Sequence, residues 1–197
     1  GTWFLFDVAF YGTVIFAPAI LGHVFGAEQT LAQLSAHAVV MSIIGIAGTT
    51  LGVMLLPRVG AKALNTAGFS LAALVFAGFA AVYARLPDYH ATLFNLLCLV
   101  YFVLYMGPNV ATYVLPVLSF PADVLSTFHG LSSAAAKIGA MVGAILFPVI
   151  DEMASVPAVM STQACICLAG ALLSHICLAD DPVGGCEEEG AGARTPS

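Results

Sequence analysis

Residues 127–150, TFHGLSSAAAKIGAMVGAILFPVI, decide the fold. The stretch holds no acidic residue and a single cation, Lys137. At about 1.5 Å per residue, a helix of this length crosses the roughly 30 Å hydrocarbon core of a bilayer. Ala135, Gly139 and Gly143 recur at every fourth position, giving a face of small residues against which another helix backbone can pack closely. A charge inside such a span is costly and by default marks either a buried partner or a functional path.

Working outward, five further apolar runs of similar length occupy about residues 1–21, 36–56, 64–84, 92–118 and 158–178. Barrel strands would instead be about ten residues long with alternating polarity, and that pattern is missing. The chain therefore reads as an all-α polytopic membrane protein with six transmembrane helices. Turn chemistry marks the breaks at 22–35, 57–60, 85–88, 121–123 and 151–157, rich in Gly, Pro and charged residues. Residues 1–179 form the membrane unit. Residues 180–197, rich in Gly, Glu and Pro, are expected to be a disordered acidic tail outside the membrane.

Composition supports the same class. Of 197 residues 60% are hydrophobic and only 8% charged, and mean hydropathy is +1.01, whereas soluble domains carry about 25% charged residues. Five basic residues and a net charge of −6 leave no patch to neutralise nucleic-acid phosphates. Four of the five cysteines, Cys98, Cys165, Cys167 and Cys177, lie within apolar runs and Cys186 lies in the tail, with no metal-ligand spacing. No disulfide, metal site or cofactor is expected. No basic segment with a cleavage site opens the chain, and Gly1 reads as a cut end, because Asp7 sits too near it for the middle of a complete span. Arg58 and Lys62 against Arg85 favour cytoplasmic ends by the positive-inside rule.

Two charges lie within spans, Asp7 in the first and Lys137 in the fifth. They pair for packing or they mark a functional path, and their surroundings favour function. Trp3, Asp7 and Tyr11 are spaced i, i+4, i+8 and line one helix face with an indole donor, a carboxylate and a phenol. In the fourth span Pro108 removes a backbone donor and kinks the helix, and Asn109 follows with an amide suited to an oxygen-rich ligand beside a broken helix. Gly48 and Gly52 give the second span a packing face like that of the fifth. His23, His37, His90 and His129 lie at span ends or in loops and are not expected to relay protons. Ser132 and Ser133 have no base and acid partners, so no enzyme chemistry is expected.

Residues 3–11 (WFLFDVAFY), 107–109 (GPN) and 126–140 (STFHGLSSAAAKIGA) together resemble the C-terminal half of proton-coupled inorganic phosphate symporters of the major facilitator superfamily, in order and spacing across three helices. The segment 57–62 (PRVGAK) resembles the cytoplasmic loop between the second and third helices of that half. The resemblance spans about residues 1–179. It implies half of a twelve-helix carrier, with Trp3, Asp7, Tyr11 and Asn109 contacting phosphate, Lys137 supplying positive charge, and Asp7 coupling a proton. The implied partners are phosphate, protons, the lipid bilayer and an N-terminal six-helix half, and the implied location is the plasma membrane of a eukaryotic cell. This chain departs from the family pattern at Leu118, Asp123 and Leu125, where the family carries a glutamate and two arginines, at Pro57 in place of an aspartate, and at Ala136 in place of a glycine. Two other readings are a carrier of sugars or other organic solutes and a partial carrier that does not transport. Asp7 with Lys137 argues against a neutral sugar.

Overall fold

A computed structural model describes residues 1–26 and 29–179. The chain threads through α1 (Thr2–Phe25), α2 (Leu31–Val59), α3 (Ala61–Arg85), α4 (His90–Met106), α5 (Pro108–Ser119), α6 (Leu125–Met153) and α7 (Val156–Cys177). Among the described residues six helical units are long and apolar enough to cross a membrane, with α4 and α5 together making the fourth. The all-α polytopic expectation is met. The expected tail, Cys186 included, lies outside the described residues.

Several helices run past the boundaries expected from the sequence. The 57–60 break is almost entirely helical: α2 continues through Pro57 and Arg58, and Gly60 alone makes the turn into α3. Pro57 removes one backbone donor near the helix end, and the Arg58 side chain adds one in the same turn, its Nη1 donating to the Met54 carbonyl at 3.1 Å. Gly60 has φ 82° and ψ 159°, a region essentially closed to residues with a Cβ. Gly60→Val is expected to lower unfolding free energy by about 1–3 kcal/mol, measured by titrating the detergent-solubilised chain with denaturant; an unchanged midpoint would remove the turn constraint. Likewise Asp151 and Glu152 are in the last turn of α6 rather than in a loop. His23, expected beyond the first span, sits within the last turn of α1, its Nε2 2.9 Å from Asp151 Oδ2.

The fourth span breaks where expected. Gly107 N–H still reaches the Val103 carbonyl at 3.0 Å, but Pro108 cannot donate, and a new helix starts on it as its first residue. Gly68 of α3 fits against this break; a Cβ on Gly107 would collide with Gly68 Cα.

Three helix pairs organise the bundle: α1 with α6, α3 with α7, and α2 with α4. Phe69, Phe76 and Phe79 of α3, Leu93, Leu97 and Leu104 of α4, Phe6 of α1 and Phe147 of α6 fill the common core. Without a hydrophobic drive between helices in lipid, close backbone contact and polar bonds hold such pairs. Both are present. Gly48 and Gly52 sit against the carbonyls of Phe102 and Met106, while Gly139 and Gly143 sit against those of Phe4 and Val8. The small-residue face of α6 starts at buried Ala136 rather than at half-buried Ala135, and it ends at Phe147, whose ring covers Gly12. Gln163 Nε2 donates to Thr13 Oγ1 at 2.9 Å and Asn65 Nδ2 donates to Ser174 Oγ at 2.8 Å, tying α7 to α1 and α3.

Candidate functional site

The α1 and α6 contact decides where the span charges go. Gly139 and Gly143 let α6 lie directly on the α1 backbone at Phe4 and Val8. This brings Lys137, on the neighbouring stripe of α6, over Asp7. Lys137 Nζ is 3.1 Å from Asp7 Oδ2 and donates to Tyr11 Oη at 2.9 Å. It also lies 4.5 Å from the centroid of the Tyr11 ring, over its face. Two helices far apart in sequence thus complete a three-residue polar centre.

The two charges of this centre are unequally shielded. Asp7 is 2% exposed, but the Lys137 side chain is 54% exposed. An ammonium half open in the middle of a spanning helix would be expensive in hydrocarbon. Its open side therefore faces a watery cavity or further protein rather than lipid tails. The pair leaves the Lys137 side chain half open and Asp7 shielded.

Trp3 lies one turn from Asp7 along α1 and is 5% exposed. Its ring packs between Tyr113 of α5, centroids 4.8 Å apart, and His129 of α6, centroids 5.6 Å apart and nearly perpendicular. Neither of these two partners was expected from the sequence. The available signal was spacing: Asn109 and Tyr113 are one turn apart on α5, and His129 and Lys137 are two turns apart on α6. His129 thus sits on the α6 face that carries Lys137, one turn inside a helix that starts at Leu125.

The structure therefore brings together Trp3, Asp7, Tyr11 and Lys137. Asn109 is half-buried in the first turn of α5, just beyond the Gly107 break. Among the described residues it bonds to none of the other four, and its link to them is through Tyr113 on the same helix face. Beyond Tyr11 an aromatic run continues through Phe10 to Tyr105 of α4, with centroids 5.0 Å apart. Tyr105 also borders an open pocket of about 410 Å³ with Ile46, Thr49, Thr50, Val53 and Met54. That pocket is nearly all apolar and includes none of the five expected site residues.

Of the positions where the chain departs from the pattern it resembles, Leu118 lies in the last turn of α5, Asp123 in the following turn and Leu125 at the first residue of α6. Leu118 is 55% exposed. None of the three touches the polar centre through a hydrogen bond or ion pair among the described residues.

The sugar (and other) transporter family matches residues 5–179. The chain is 36% identical over 155 residues to a probable inorganic phosphate transporter of Oryza sativa, covering 74% of this chain and 28% of the relative. It is 32% identical over 182 residues to an inorganic phosphate transporter of Toxoplasma gondii, covering 92% of this chain and 32% of the relative. To the inorganic phosphate transporter of Saccharomyces cerevisiae it is 32% identical over 148 residues, covering 72% of this chain and 25% of that protein. The chain thus spans between a quarter and a third of the length of these curated relatives. With six apolar spans and a family match over nearly all of the described residues, this multi-pass membrane protein belongs to the sugar (and other) transporter family of the major facilitator superfamily.

Proposed function

We propose that this chain supplies the C-terminal six-helix half of a proton-coupled inorganic phosphate carrier in a eukaryotic plasma membrane. One observation carries the reading above all: a half-exposed Lys137 ammonium in mid-span, held by buried Asp7 and by Tyr11. The similarity to proteins named as inorganic phosphate transporters supports the choice of anion.

An incoming phosphate meets Lys137 from its open side. Several donors suit its oxygens: the ammonium, the Tyr11 hydroxyl, the Trp3 indole N–H and the Asn109 amide. As Lys137 turns toward the anion, Asp7 loses its counter-charge inside a shielded site, and a carboxylate beside an anion is penalised. Binding phosphate and protonating Asp7 therefore favour each other, and by linkage the effect is reciprocal. When the proton leaves Asp7, the regenerated carboxylate repels the anion and recaptures Lys137. The N-terminal six-helix half completes the cavity, since the centre occupies one face of this bundle and carriers of this type bind between two repeats.

The deciding experiment is uptake of labelled phosphate into proteoliposomes that are more acidic outside than inside, with this chain joined to an N-terminal half. Asp7→Asn in that carrier is expected to retain phosphate exchange but lose accumulation against a gradient, because an amide cannot carry the proton. Uphill uptake persisting in Asp7→Asn would refute the coupling role, and absence of phosphate uptake by the joined carrier would refute the substrate.

A further inference from the structure

The indole of Trp3 is held by two residues outside the polar centre. Tyr113 is 55% exposed on α5 and stacks on it at a tilt, while half-buried His129 on α6 meets it edge to face. These partners come from two helices and bracket a side chain that α1 alone would leave free to change rotamer. Trp3 lies one turn from Asp7 on the face of α1 that carries Asp7 and Tyr11, so its ring orientation sets where the indole N–H points relative to the polar centre.

The three helices also differ in how firmly they are joined here. α1 and α6 are locked by Gly139 and Gly143, whereas α5 begins at the broken backbone of Gly107 and Pro108. The Trp3 and Tyr113 contact connects that half-helix, with Asn109 in its first turn, to the α1 and α6 pair. Losing it would loosen Asn109 relative to Lys137 without touching either residue.

We propose that Tyr113 and His129 are positioning residues of the anion site: they clamp the Trp3 indole between α5 and α6 and so fix the donor geometry around Lys137. Neither residue needs to touch the anion, and the clamp acts through Trp3. The inference rests on the phosphate reading for its ligand, but the clamp itself is testable without any ligand.

Trp3 is the only tryptophan in the chain, so intrinsic fluorescence reports on this site alone. In the reconstituted chain, His129→Ala and Tyr113→Ala are expected to shift Trp3 emission to longer wavelength and to raise its quenching by acrylamide. His129→Phe and Tyr113→Phe, which retain an aromatic ring, are expected to restore both signals. In the joined carrier, the alanine variants are expected to raise the KM for phosphate by about two- to tenfold, the scale of one aromatic contact, with the maximal rate less affected and the phenylalanine variants close to the parent. Unchanged emission and quenching in both alanine variants would overturn the clamp. Altered fluorescence with an unchanged KM would overturn the positioning role. A joined parent carrier with no phosphate uptake would sink the phosphate reading, leaving the clamp to be decided by the fluorescence result.

Discussion

Lys137→Ala is expected to reduce phosphate uptake by the joined carrier by about thirtyfold. Truncating one partner of a hydrogen-bonded charge pair at a binding site costs about 2–5 kcal/mol, the half-exposed lysine belongs at the low end of that range, and each 1.4 kcal/mol is about tenfold in affinity. The substitution also removes the cation that this chain places at mid-span. Asp7, 2% exposed, would be left without a counter-charge, so the variant also loses the ion pair that phosphate would open. Lys137→Arg is expected to lie between the two. It keeps the charge, but a planar guanidinium cannot place a donor on Asp7 Oδ2 and another on Tyr11 Oη with the geometry of a single ammonium. Uptake of labelled phosphate, with surface-accessible protein measured in parallel, decides the point. Uptake by Lys137→Ala equal to that of the parent would dismiss the central role of the lysine.

The second large effect concerns packing. Gly143→Leu is expected to force α1 and α6 apart, because even the Cβ of that side chain would run into the Val8 carbonyl oxygen. Backbone cannot yield as a flexible side chain can, so the cost should exceed the usual 1–3 kcal/mol of core overpacking, reaching about 4 kcal/mol. The helix pair that holds Lys137 over Asp7 would be lost with it. Gly130→Leu is the matched control on the same helix, since a Cβ there meets nothing within 4 Å. Thermal aggregation of the detergent-solubilised chain should fall to lower temperature for Gly143→Leu alone. Equal thermal behaviour of the two variants would show that the α1 and α6 contact does not hold the bundle together.

Much of this was legible in the chain itself. Each apolar run announced a membrane crossing, and Pro108 announced the break in the fourth, because a missing N–H acts on its own helix wherever that helix packs. Asp7 and Lys137 stood out because few charges survive inside such runs. Trp3 and Tyr11 could be placed with Asp7 by helical spacing alone. Other features were hidden for equally physical reasons. Helix ends at Pro57 to Val59 and at Asp151 to Met153 carry turn-like residues, yet the helices continue, since a last turn accepts such residues when side chains or the next helix satisfy its backbone. His129 stood at the edge of the fifth span, and its contact with Trp3 depends on the rotation of α6 against α1. Tyr113 was indistinguishable from any aromatic in an apolar span.

The sequence alone determined how many times the chain crosses the membrane and which polar side chains the crossings carry, because the cost of placing a residue in hydrocarbon is set by that residue and its near neighbours along one helix. It could not determine which of those side chains meet. That choice belongs to the tertiary structure, where Gly139 and Gly143 bring two backbones into contact and fix the rotation of α6, so that Lys137 falls on Asp7 and Tyr11 while His129 closes on Trp3. Hydropathy has no direction around a helix axis, but packing does.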